Sequence, residues 1–153
     1  MLLTSVGLLA IMVTALYLVP VGAHFFEMAR KISLSPSEYM TVQKIYMGWS
    51  FFGIVIFAVL LLTLIHTFMA RGTRIASLLS FIAFLCLAAT QVIFWMFIYP
   101  INVASTNWTV TPSDFEAARQ QWGNSRAVNA VLTFVGLAAI AVSVVIIAKR
   151  ASR

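Results

Sequence analysis

An all-α fold, an integral membrane four-helix bundle, is predicted by three observations. Four uncharged apolar runs each exceed the ~20 residues that cross a hydrocarbon core as helix. Charged residues make up only 9% of the 153, against about a quarter in soluble domains. No run alternates apolar and polar residues as membrane strands do, and lipid does not tolerate bare backbone polar groups, which leaves helices. The expected spans are 2–26, 45–70, 75–99 and 127–148, within a single domain covering 1–153.

The first run could be mistaken for a signal peptide, because Val21-Gly22-Ala23 resembles a cleavage site. No positive residue precedes it and it is longer than a signal core, so it reads as a retained span. The second span follows Ser35-Pro36-Ser37-Glu38, and the fourth follows Thr111-Pro112-Ser113-Asp114. Ser or Thr as N-cap, Pro at the first helical position and an acid three residues on make a helix start. Helices 2 and 4 are therefore expected to extend beyond the membrane on one side, over 36–44 and 112–121, and to cap that pole. Aromatic residues follow both motifs, Tyr39 and Tyr46 in one and Phe115 and Trp122 in the other, and the motifs stand about half the chain apart. This predicts two helical hairpins in parallel repeat, halves 1–72 and 73–153. Two unrelated uses of a common helix start are the alternative.

Charge does not fix orientation by counting. Arg71, Arg74, Lys149, Arg150 and Arg153 share one pole; Arg30, Lys31, Lys44, Arg119 and Arg126 share the other with all four acids. The positive-inside tally is a tie. The short Arg71/Arg74 turn and both termini are assigned to the cytoplasm, with the capped pole outward. The net charge of +6 is accounted for by these flanking cations and implies no nucleic-acid partner. The single Cys excludes a disulfide framework within the chain.

Polar residues in spans should face protein. Thr14, Tyr17, His24 and Glu27 share a helical face, as do Tyr39, Gln43, Tyr46, Ser50 and Gly53. The third span offers Ser77, Ser80, Phe84, Gln91, Trp95, Ile98 and Asn102, and the fourth Arg119, Trp122, Arg126, Asn129, Thr133, Gly136 and Ser143. Gly53, Thr133, Gly136 and Ser143 suit close helix approach. Toward the capped pole, where Trp49, Trp95, Trp108 and Trp122 also fall, the stripes turn polar. A chamber is expected there. Its proton-handling candidates are His24 and Arg126; its ligand-binding candidates are Glu27, Gln43, Tyr46, Gln91, Trp95, Asn102, Trp108, Trp122 and Asn129. A structural Glu27–Arg126 ion pair, with the amides satisfying one another, is the competing reading of the same residues.

No cofactor or metal is expected. His24 and Glu27 stand at i, i+3, but a zinc site needs three or four ligands and His66 belongs to the other pole. Cys86 lies mid-helix and reads as packing. Asn107-Trp108-Thr109 is a glycosylation sequon, a pattern short enough to arise by chance. A histidine able to move protons near neutral pH, beside amides and an arginine, would suit a flat aromatic or quinone-like lipophile. A base beside an acidic C–H or phenol can make a carbanion that reacts directly with dioxygen.

Residues 99–127, YPINVASTNWTVTPSDFEAARQQWGNSRA, resemble the anthrone-oxygenase-like integral membrane proteins, a family of small four-helix chains. Pro100-x-Asn102, Asn107-Trp108 and Trp122 followed by a polar and a small residue carry the likeness. The resemblance implies a cofactor-independent monooxygenase acting on polycyclic anthrones, with Asn102, Trp108 and Trp122 as matching positions. Gly123 and Arg126 stand where the family pattern has an acid and a histidine, so His24 would have to serve as base. Three functions thus stay open: an oxygenase-type membrane enzyme, a non-catalytic lipophile carrier, and an accessory subunit that docks a membrane-protein partner or a second copy.

Overall fold

The computed structural model describes residues 2–151, apart from the Ser50 side chain. Arg153 and the inward orientation expected of Ser50 lie outside the described residues. The chain forms α1 (Leu2–Lys31), α2 (Pro36–Gln43), α3 (Phe52–Met69), α4 (Arg74–Ile93), α5 (Tyr99–Ala104) and α6 (Phe115–Ala151), with no strand among the described residues. Four helical stretches are long and apolar enough to cross a membrane: Leu2–Lys31, Phe52–Gly72, Arg74–Ala104 and Phe115–Ala151. The protein is a multi-pass, all-α membrane bundle whose solvent is the lipid bilayer.

α1 packs on α3 and α6, and α4 packs on the same two. The four long helices therefore close into a ring in which every neighbour runs antiparallel. At mid-depth Tyr17, Val21, Ile56, Val59, Leu87 and Ala130 form the core. Nearer the termini Ala10, Ala83 and Ile140 pack together, and Ala70, Ala76 and Ile147 close the end with Leu3. Both ends of the described chain thus share the pole of the α3–α4 turn, where Arg150 Nη1 donates to Gly72 O at 2.7 Å and Thr73 Oγ1 at 2.8 Å.

Hydroxyls inside the ring turn back on their own helices. Thr14, Thr63, Thr67 and Thr133 donate to the carbonyl four residues earlier at 2.6–2.8 Å, so they sit in apolar surroundings without an unmet donor. Gly136 lets α6 approach α4: a Cβ there would meet Ala83 O at 3.4 Å. Gly53 does not act this way. It is exposed, and nothing lies within 4 Å of where its Cβ would be. Gly7 does, because its missing side chain leaves room for His66, whose Nε2 would stand 2.7 Å from a Cβ. His66 is wholly buried, its Nδ1 2.8 Å from Ser80 Oγ, which in turn lies 2.9 Å from Ser143 Oγ.

The two helix starts differ. Before α2, Glu38 accepts from the Ser35 amide at 2.9 Å and from its hydroxyl at 2.6 Å. Before α6 the cap is Asp114, whose Oδ1 accepts from the Ala117 amide at 3.2 Å. Thr111 and Pro112 stay outside the helix, because a carboxylate adjoining the first turn is as good a cap as a hydroxyl further back. The second helical segment is also interrupted. Residues 44–51 form short 3-10 turns around Gly48, whose φ of +88° suits glycine, and they separate α2 from α3. Helix α6 runs unbroken from the cap through the membrane.

Between α4 and α5 the chain passes through a π-helical turn, Phe94–Ile98. Pro100 has no N–H for the carbonyl four residues before it, and the wider turn carries the helix past that gap. The inward face of this stretch is Ala76, Ser80, Ala83, Leu87 and Thr90, then Ile98 and Ile101. Over α4 it matches the expected stripe at Ser80, and elsewhere Ala76, Ala83 and Thr90 face inward in place of Ser77, Phe84 and Gln91. Thr90 hides its hydroxyl against Leu87 O at 2.7 Å and takes the inward place assigned to Gln91, which is half-buried beside it.

Candidate functional site

The capped pole is built by α2, α5, the 105–114 loop and the first turns of α6. Tyr39, Ile98, Ile101, Trp108, Phe115 and Trp122 form its apolar centre. Trp122 donates through Nε1 to Asn102 Oδ1 at 3.0 Å, which ties α6 to α5. Three successive residues, Thr106, Asn107 and Trp108, have φ of +48°, +53° and +63°. This left-handed turn is held by Asn107 N to Asn102 O at 2.6 Å and Trp108 N to Ser105 Oγ at 3.0 Å. It swings Trp108 into the centre, where its ring lies 5.8 Å from Trp122 and 5.2 Å from Tyr39.

Beneath this cap sits a charged cluster. His24 Nδ1 is 2.9 Å from Glu27 Oε1, and Lys31 Nζ donates to the same oxygen at 2.8 Å. Tyr46 donates its hydroxyl to Glu27 Oε2. Lys31 also donates to Gln43 Oε1 at 2.9 Å, and Gln43 Nε2 reaches Tyr39 OH at 3.2 Å. Lys31 is only 5% exposed and lies over three rings, Tyr46 at 4.4 Å, Trp122 at 5.2 Å and Tyr39 at 5.3 Å. Burial, with Glu27 next in weight, raises the Tyr39 phenol well above its ordinary value, so it stays protonated. His24 is edge-on to Tyr46 at 4.3 Å and to Trp122 at 5.0 Å, with Trp49 at 5.9 Å.

The Glu27–Arg126 pair of the competing reading does not form. Glu27 is taken up by His24, Lys31 and Tyr46. The guanidinium of Arg126 instead lies over the Trp122 ring at 4.9 Å and Phe94 at 6.0 Å. Its Nε is buried with no hydrogen-bond partner. One turn deeper on the same face, Asn129 is 1% exposed; its Nδ2 donates to Thr90 O at 3.3 Å, and its Oδ1 has no partner. Tyr17 lies within reach of the Thr90 and Gln91 side chains and of the Arg126 charge.

The structure thus gathers His24, Glu27, Gln43, Tyr46, Trp122 and Arg126 at one level, with Gln91 and Asn129 just below. Asn102 and Trp108 stand behind Trp122. Trp95 is not brought in. It is 56% exposed and faces outward beside Tyr99, 4.9 Å away, the position of an interfacial aromatic. Sequence reasoning missed Lys31 as a member, and it placed Tyr17 on the inward face and Trp49 at this pole without assigning either to the site. For Lys31 a signal was present: Glu followed by Lys at i+4 is the favoured helical pair order.

The crevice among His24, Glu27, Met28, Lys31, Tyr39, Arg119 and Trp122 measures about 10 Å³, room for about one water. The charged cluster itself therefore holds no ligand-sized void. Among the described residues no group of three or more His, Cys, Asp or Glu could hold a metal. Chemically, an ionised Glu27 accepting from Nδ1 fixes the His24 tautomer and leaves Nε2 as the basic nitrogen. Comparison with known protein families, curated proteins and solved structures finds no match.

Proposed function

We propose that this is a lipophile-binding membrane protein whose ligand presents an acceptor oxygen to Arg126. One observation carries the reading: a guanidinium inside the bundle, stacked on two aromatic rings, has no acceptor at its buried Nε. A cation in a span is costly unless paired, and an oxygen supplied by a ligand would satisfy it. Asn129 and Gln91, one turn deeper, offer further polar contacts, and half-buried Phe94 offers a face for a flat ring system. Mass spectrometry of protein purified in mild detergent is expected to find one retained lipophile per chain. Arg126→Gln should weaken its retention by ~10- to 100-fold, the worth of one charge-assisted hydrogen bond. Equal retention by wild type and variant, or none by wild type, overturns the reading.

The oxygenase reading is favoured by the His24–Glu27 pair, whose tautomer leaves a base beside Trp122. Under it, dioxygen uptake with an anthrone should be lost in His24→Ala while lipophile retention persists. With the Arg71/Arg74 turn and both ends at one pole, we place that pole in the cytoplasm.

A further inference from the structure

We propose that the α3–α4 hairpin carries a second site, for the phosphate of an anionic glycerophospholipid. A surface groove of about 450 Å³ lies there, lined by Thr67, Arg71, Arg74, Ser77, Leu78 and Phe81. It is remote from the capped pole and shares no residue with the cluster around His24.

The groove is divided chemically along its length. Arg71 and Arg74, both exposed, stand at the turn; Leu78 and Phe81, also exposed, stand one and two helical turns further into the membrane-spanning part of α4. That order, cation at the helix end and apolar side chains below, matches a lipid whose phosphate lies at the interface and whose chains run inward. The hydroxyls add nothing for an anion, because Ser77 donates to Thr67 O at 2.9 Å and Thr67 donates to Thr63 O at 2.8 Å. Recognition falls to the two guanidiniums. Arg71 is already oriented: its Nε donates to Phe68 O at 2.8 Å and its guanidinium lies 5.6 Å from the Phe68 ring centre, which holds its stem while its other nitrogens stay available. Arg150, anchored on Gly72 and Thr73, adds a third positive charge at the same turn. No acid occurs in the sequence between Glu38 and Asp114, so no carboxylate of the hairpin competes for these cations. Basic pockets at helix ends bind anionic headgroups in this way.

The test uses the full chain in nanodiscs of phosphatidylcholine with a minor share of phosphatidylglycerol. Release into detergent is followed by mass spectrometry of retained lipid. One phosphatidylglycerol per chain is expected in preference to phosphatidylcholine. Arg71→Gln with Arg74→Gln should reduce that preference roughly fivefold for each arginine, about 25-fold together, at about 1 kcal/mol per surface cation. Arg30→Gln with Lys44→Gln, which removes the same charge from the other pole, should leave it unchanged. Leu78→Ala with Phe81→Ala should shorten retention of phosphatidylglycerol. Equal loss from both charge variants, equal retention of the two lipids by wild type, or displacement by millimolar inorganic phosphate overturns the proposal. The wild-type lipid comparison decides the matter even if a variant fails to fold.

Discussion

Lys31 is the residue on which the capped pole turns. It joins α1 to α2 by holding Glu27 and Gln43 together, and it is shielded by three rings. Lys31→Met should leave Glu27 short of its cation and destabilise the protein by about 1–3 kcal/mol, the penalty for stranding a charged partner. Adding Glu27→Gln should recover part of that loss, since removing both charges spares the desolvation cost. Thermal unfolding in detergent of the single and double variants measures both. Gly7 carries a steric prediction of another kind. Gly7→Ala brings a methyl against His66 and Val144, and the repacking should cost about 1–3 kcal/mol in the same assay. Spacing alone placed His24, Glu27, Tyr46, Arg126 and Asn129 on inward faces, because i, i+3 and i+4 steps are a property of the helix. It could not show that Lys31 is buried. A lysine after an apolar run reads as a flanking charge, and only α2 folding across it removes it from water.

At the scale of elements, the two helix starts respond to different perturbations. The Ser35 hydroxyl and amide hold the Glu38 carboxyl below its ordinary value of 4.5. A depressed carboxyl contributes stability that is present above its unfolded value and is lost as pH falls through the folded one. Hydrogen exchange of the α2 amides should therefore speed up as pH drops below about 4.5, after correction for intrinsic exchange, and Glu38→Gln should flatten that dependence. The left-handed turn at 106–108 invites the opposite change. Each such non-glycine residue costs roughly 1–2 kcal/mol, so Thr106→Gly should raise thermal stability by about 1 kcal/mol. The capping motifs were readable as helix starts, but their equivalence was not: Asp114 stands next to the first turn of α6 and outcompetes Thr111. The interruption at 44–51 was hidden because 45–70 is an uncharged, mostly apolar run, and such a run says nothing about whether Gly48 takes a positive φ. The inward stripe of α4 was right at Ser80 but one residue off at its far end, where Gln91 was trusted over Thr90, whose hydroxyl turns back on its own helix.

For the whole molecule, the four apolar spans follow from run length and were legible, whereas the order in which the helices pack around the ring came only from the structure. Which side of the membrane the ends occupy was not legible, because lysine and arginine are split evenly between the poles. A cysteine placed at Arg74 in a Cys86→Ala background should react with an impermeant maleimide only in opened cells or inverted vesicles, while one at Ser37 should react in intact cells. The reverse pattern would invert the bundle and leave its internal geometry untouched.

The seclusion of Lys31 also governs what reagents can do to the folded chain. An amine-acylating compound added to native protein should modify Lys44, which is exposed, while Lys31 stays unmodified behind its aromatic screen. Peptide mapping over time would then record when the lid lifts, since the first acyl group on Lys31 marks a molecule whose α2 has come away from α1.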